Sequence, residues 1–130
     1  MKYAVFCVSL VCLLSACNNS DWSIVAEKGK IKIVEIDKEN AKDADIYRKA
    51  MPKICPNGKD CQALFWEEGK APSSTTISDS DIRSMSAYYA VQVEPYQKNL
   101  KWNCAIFPKY SSNRLCIENN VETIRENLNR

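Results

Sequence analysis

Cys61-Gln62-Ala63-Leu64-Phe65-Trp66 is a short, nearly continuous apolar run that follows the turn-forming Pro56-Asn57-Gly58 and precedes the polar stretch from Glu67 to Thr76. A strand with one wet face alternates apolar and polar residues, and this run does not. It fits a central strand covered on both faces and lying deep in a small sheet. Gly69, Pro72 and a Ser/Thr cluster mark the stretch after it as a surface loop.

Upstream, Ile31-Lys32-Ile33-Val34-Glu35-Ile36 is β-branched and roughly alternating. It reads as a second strand, with a bulge where adjacent Ile33 and Val34 break the period. A helix is expected next, capped by Asn40, with Asp43 near its positive end and Ala44, Tyr47, Met51 and Ile54 on its inner stripe. Pro52 should kink or end it near Met51. Downstream, Ser78 is the expected cap of a helix whose inner stripe is Ile82, Met85, Ser86 and Tyr89.

Leu100, Trp102, Cys104 and Ile106 alternate with Lys101, Asn103, Ala105 and Phe107, the clearest period-two strand in the chain, and Arg114 to Ile117 is expected to return beside it. Val121, Ile124 and Leu128 then mark a short C-terminal helix. The order β, α, β, α, β, β, α points to one α+β domain over residues 31–130. Its architecture is a small, mainly antiparallel sheet with two helices on one face plus the C-terminal helix. Residues 17–30, largely polar with a lone aromatic, Trp22, read as a tether.

Composition agrees with one globular domain: the chain has 130 residues, 45% hydrophobic and 26% charged. Its first residues depart from that pattern. Met1-Lys2 carries one positive charge, and the apolar run from Tyr3 to Leu14, broken only by Ser9, is shorter than the roughly 20 residues a membrane-spanning helix needs. It has the form of a secretory signal over residues 1–16. The run ends Leu14-Ser15-Ala16-Cys17, which resembles the lipobox of bacterial lipoproteins. The resemblance implies cleavage before Cys17 and lipid on its thiol, hence a membrane partner. Asn18, a residue other than aspartate after that cysteine, implies the outer membrane, with the domain facing the periplasm. Removal of Lys2 leaves seventeen basic against sixteen acidic residues, a balance that argues against nucleic acid as a partner.

Of seven cysteines, Cys7 and Cys12 fall in the signal, Cys17 takes the lipid, and Cys55, Cys61, Cys104 and Cys116 remain. In an oxidising periplasm four cysteines suggest two disulfides, for which three connectivities exist. Cys55–Cys61 and Cys104–Cys116 are favoured because each pair straddles a turn-forming stretch, Pro56-Asn57-Gly58 or Pro108 to Asn113. The second pair is expected as a staple across a hairpin. The spacings miss the paired knuckles of structural zinc, so no metal is expected. The string Cys55 to Cys61, then Leu64-Phe65-Trp66, Met85 to Tyr89 and Trp102-Asn103-Cys104-Ala105-Ile106-Phe107-Pro108, is similar to a group of small exported bacterial proteins of uncharacterised function. That likeness implies a disulfide-stapled fold and no particular activity.

The chain contains no histidine, which removes Ser-His and Cys-His nucleophiles and histidine-ligated metal sites. Its three glycines are isolated, so it has no phosphate-cradling loop, and no cofactor is expected. An enzyme would have to use carboxylates: Glu67 or Glu68 with Asp79 or Asp81, as in a glycan or cell-wall hydrolase. Neighbouring strand residues point to opposite faces, so Glu67 and Glu68 do not converge unaided. Asp79 and Asp81 lack an EF-hand continuation and suit helix capping.

The candidate partner surface is Trp66, Glu67, Glu68 and Tyr88. For these the plainer reading is a solvated strand end and a half-exposed tyrosine, with Tyr89 in the core. Trp102 is expected to pack against a disulfide. The favoured function is a non-enzymatic binding module, with an envelope protein as partner: an inhibitor, an immunity or exclusion factor, or an accessory of an envelope assembly.

Overall fold

The computed structural model describes residues 21–112 and 114–130. The signal segment, the Leu14 to Cys17 motif and Asn18 lie outside the described residues. The fold is α+β: a five-stranded sheet in the order β1 (Trp22–Lys28), β2 (Ile31–Ile36), β3 (Cys61–Glu67), β4 (Ala87–Val93), β5 (Tyr96–Trp102). All neighbours pair antiparallel except β2 and β3, which run parallel because the chain crosses between them through helix α1 (Ala44–Ile54). Helices α2 (Asp79–Ser84) and α3 (Val121–Leu128) complete it.

The Cys61 to Trp66 run is the middle strand, and all six of its residues are buried. Alternate residues feed separate cores. Ala63 and Phe65, with Val34, Ile36, Tyr89 and Trp102, pack against α1. Leu64 and Trp66, with Ile33, Tyr88 and Met85, pack against Ile82 of α2 and Ile124 of α3. The two helices that share a face are therefore α2 and α3, while α1 covers the other. This two-sided burial explains Ile33 and Val34: both are fully buried, on opposite faces of β2. The register irregularity sits opposite them, on β1 between Ile24 and Ala26.

Several expectations are corrected. The stretch read as a tether contains edge strand β1, which extends the sheet from Trp22, and Trp22 packs on the α1 side of the domain. Its ring lies beneath the Lys53 ammonium at 5.5 Å. Asp43, not Asn40, caps α1, accepting from the Asp45 amide at 3.1 Å. Asn40 closes a short 3-10 turn and donates to Asp21 at 3.1 Å. The helix passes through Pro52 to Ile54, closed by the Cys55 amide donating to the Met51 carbonyl at 2.8 Å.

The helix at Ser78 is capped as expected, by a reciprocal box in which Ser78 Oγ accepts from the Asp81 amide at 3.0 Å and Asp81 accepts from the Ser78 amide at 2.9 Å. It ends at Ser84, so Tyr88 and Tyr89 belong to strand β4. Ile82, Met85 and Tyr89 fall at helical spacing, but tyrosine and valine favour the strand, where neighbouring side chains enter different cores.

β5 begins at Tyr96 and stops at Trp102. Asn103 turns the chain, its side-chain oxygen accepting from the Ala105 amide at 3.0 Å, and Cys104 leaves the strand. The expected return strand shrinks to a single parallel bridge between Trp102 and Cys116. Both favoured disulfides are present, Cys55–Cys61 and Cys104–Cys116, each with Cα atoms 5.4 Å apart. The second ties a turn to that bridge and is not a cross-strand staple.

On the α1 side Tyr47 lies within an aromatic cluster, its ring 5.4 Å from Phe107, 5.5 Å from Phe65 and 5.9 Å from Trp102. Trp102 stacks on Tyr110 at 4.8 Å, and Arg48 lies over both rings. Trp102 is thus a core residue of this cluster.

Candidate binding groove

On the α2–α3 side the helices cover β2, β3 and the start of β4, leaving a groove of about 710 Å³ over the rest of β4, β5 and the end of α3. Its floor is a polar network inside an otherwise apolar layer. Gln62, only 4% exposed on the central strand, accepts from the Tyr88 hydroxyl at 2.6 Å and donates to the Asn127 backbone carbonyl at 2.9 Å. The Asn127 side-chain amide donates back to the Tyr88 oxygen at 3.4 Å.

This network has a structural cause. The last carbonyls of a helix lack intrahelical partners, and Gln62 supplies one to α3 from the middle of the sheet. Burial pushes the Tyr88 phenol up to about 12, partly offset by the hydrogen bond from Asn127. Tyr88 therefore remains a neutral hydroxyl. It fixes the Gln62 amide and, through it, the distance from α3 to the sheet.

Beside this floor, Gln92 on β4 and Gln97 and Asn99 on β5 line the groove on the same sheet face, and Thr123 contributes from α3. Among the described residues, four charged side chains lie at the rim. Asp60 accepts from the Val93 amide at 2.9 Å, which sets its carboxylate beside Glu94. Lys30 precedes β2 across from Cys61, its carbonyl accepting from the Gln62 amide at 2.7 Å, and Arg130 follows Asn127 at the end of α3. These four side chains sum to zero charge, and Ala90, Val91 and Val93 line the groove between them. Among the described residues, Tyr88 is the aromatic that lines the groove. Tyr88 is fully buried, and exposed Tyr96 belongs to the alternate set of β5 residues, on the α1 side with Leu100 and Trp102.

The residues expected to form a partner surface do not come together. Trp66 is fully buried, with its indole N–H donating to the Asp81 carbonyl at 3.2 Å and Ser84 Oγ at 3.1 Å. Tyr88 is fully buried, not half-exposed, and it reaches the groove as part of the floor. Glu67 pairs with Lys70 at 3.2 Å, and Glu68 accepts from the Lys38 amide at 3.2 Å. Among the acids of the hydrolase alternative, Asp79 is bound by Arg125 of α3, and Asp81 completes the α2 cap. Each of the four carboxylates has a separate local partner.

Cys104, Cys116 and Glu118 place three ligand-type atoms close together, but the two sulfurs are bonded to each other and offer no thiolate. Among the described residues no helix is long and apolar enough to cross a membrane.

Sequence reasoning missed the groove residues other than Tyr88. The available signal was Gln62, the one polar side chain in the Cys61 to Trp66 run. Comparison with protein-family models, curated proteins and solved structures finds no match to this chain.

Proposed function

We propose that this chain is a periplasm-facing lipoprotein, held at the outer membrane by lipid on Cys17, whose domain is a non-enzymatic binding module. It acts as an inhibitor, an immunity or exclusion factor, or an accessory of an envelope assembly. The observation that carries this reading is the motif Leu14-Ser15-Ala16-Cys17 placed just ahead of a disulfide-stapled domain. Two local disulfides suit an oxidising compartment, which supports export. The separate structural duties of Glu67, Glu68, Asp79 and Asp81 support binding over carboxylate catalysis.

On this reading the domain sits close to the lipid. Four residues separate Cys17 from Trp22, so the lipidated Cα lies within about 18 Å of the start of β1. Trp22, Ile36 and Glu67 share the sheet end nearest the anchor, while Lys28, Ile31 and Gln62 share the opposite end, roughly 20 Å away along the strands. The groove lies at that far end, turned from the bilayer.

The experiment is crosslinking in intact envelopes, with a photoreactive residue at Gln97 in the groove and, as control, at Lys49 on exposed α1. A discrete crosslinked protein from Gln97 and not from Lys49 is expected. Repeated absence of any crosslinked partner contradicts the binding-module reading.

A further inference from the structure

A lipid on Cys17 holds one side of the domain against the bilayer, and the surfaces within its reach differ in chemistry. We propose that the free edge of β1, centred on Ile24 and Val25, docks onto the headgroup layer of the membrane that carries the anchor. This deepens the lipoprotein reading and rests on it.

Two surfaces adjoin Trp22, where β1 begins. The first is the sheet end, where Asp37, Lys38 and Glu39 follow β2 and Glu67 and Glu68 close β3. Pressing such charged groups into a lipid interface costs their hydration. The second is the open edge of β1, which stands outermost in the sheet and pairs with β2 alone. Ile24 and Val25 lie at the middle of this edge, 45% and 47% exposed. Val25 is the extra residue of the bulge and has no partner on β2. A bulge makes an edge a poor template for another strand, whereas a hydrated headgroup layer accepts apolar side chains and offers hydrogen-bond partners to the backbone groups between them.

The covalent reach permits this pose. Seven peptide steps separate Cys17 from Ile24, so their Cα atoms lie within about 25 Å of each other. A headgroup layer is roughly 5 to 8 Å deep, so edge-on docking falls well inside that reach. Trp22 extends the edge, its half-buried ring beneath the Lys53 ammonium at 5.5 Å. An indole and a lysine together suit the interface, the ring at headgroup level and the ammonium in water.

The edge carries no net charge. The segment from Asp21 to Asp37 holds four acids and three bases, and Lys53 adds a fourth base beside Trp22. Docking should therefore be the same on zwitterionic and on anionic lipid. In this pose the sheet stands on β1 and carries β5 four strand spacings, roughly 19 Å, away from the bilayer, which leaves the groove over β4 and β5 open.

The test uses the full lipidated chain in phosphatidylcholine bilayer discs that contain a lipid with a nitroxide on its headgroup. Intact mass first verifies the lipid on Cys17. Backbone amide signals of Ile24 and Val25 should be attenuated about tenfold more than that of Asn99 on the distant β5, with or without added phosphatidylglycerol. Ile24→Ser/Val25→Ser should cut that ratio severalfold while the lipid mass and membrane fractionation stay unchanged. Ile24→Leu/Val25→Leu should preserve the ratio, as should Tyr96→Ser on the opposite edge. Unchanged backbone spectra of the variants verify folding.

The assignment is overturned if both edges are attenuated alike, if Lys38 and Glu39 at the sheet end are attenuated more than β1, or if the serine pair leaves the ratio unchanged. Contacts between differently labelled copies across β1 would overturn it too, by showing that a second chain covers the edge. A chain without lipid on Cys17 overturns the anchor and this orientation with it. A lipidated chain whose β1 signals are spared overturns this orientation alone.

Discussion

The Tyr88 hydroxyl donates to the Gln62 side-chain oxygen at 2.6 Å, joining β4 to β3 beneath the end of α3. Because Gln62 in turn donates to the Asn127 carbonyl, the pair couples the sheet to the C-terminal helix. Tyr88→Phe removes the hydrogen bond to Gln62 and the longer one from the Asn127 amide and should cost about 1 to 2 kcal/mol. Gln62→Leu leaves the Tyr88 hydroxyl without its acceptor and the Asn127 carbonyl with only its longer bond from the Arg130 amide, and should cost about 2 kcal/mol. The double variant should cost less than the sum, which urea unfolding of all three variants will measure.

The disulfides should dominate stability. By loop entropy, Cys55–Cys61 and Cys104–Cys116 contribute about 2.4 and about 2.9 kcal/mol. Paired alanine substitution of either bridge should lower the urea midpoint by corresponding amounts, and removal of both should leave the chain largely unfolded at physiological temperature.

Alkaline pH should destabilise the fold in a defined window. Burial pushes Tyr47 and Tyr88 from 10.0 up to about 12. In that interval the unfolded chain has lost the phenolic protons that the folded chain retains. Their contribution is complete below pH 10 and is lost as pH rises toward 12, at about 1.4 kcal/mol per unit for each tyrosine. Tyr47→Phe and Tyr88→Phe should each flatten the slope, as read from urea midpoints across the window.

The acids of the hydrolase alternative should behave as structural groups. Ser78→Ala, which deletes the α2 cap, should cost about 1 kcal/mol, and Asp79→Asn, which weakens a partly exposed ion pair to Arg125, less than about 1 kcal/mol. Glu67→Gln and Glu68→Gln should leave crosslinking to the envelope partner unchanged. A loss of partner capture in either glutamate variant would return those residues to the functional site.

The middle strand was legible because six consecutive buried residues leave no alternation to misread, and the two disulfides because each closes over a turn. β4 was not legible. Its tyrosines fall at spacings that continue the stripe begun by Ile82 and Met85, and only pairing with β3 shows that Tyr88 and Tyr89 enter different cores. β1 was hidden for the opposite reason. As an edge strand it buries none of its residues, and its apolar trio Ile24-Val25-Ala26 shows no alternation that marks a covered face.

The groove was least legible of all. Gln62, Asn99 and Asn127 are brought together by contacts far apart in sequence, and none of them looks functional alone. Trp66 and Tyr88 attracted attention as large aromatics, yet the sheet buries both.

The most direct test of the proposed function is the intact mass and metabolic lipid labelling of the envelope-fraction protein, with and without reduction, beside a Cys17→Ala variant. The expected result is a lipid-sized mass on Cys17, lost in the variant, together with a mass gain on reduction that corresponds to two opened disulfides. An unmodified chain with free thiols in the soluble fraction would contradict the anchor, the oxidising compartment and the binding role built on them.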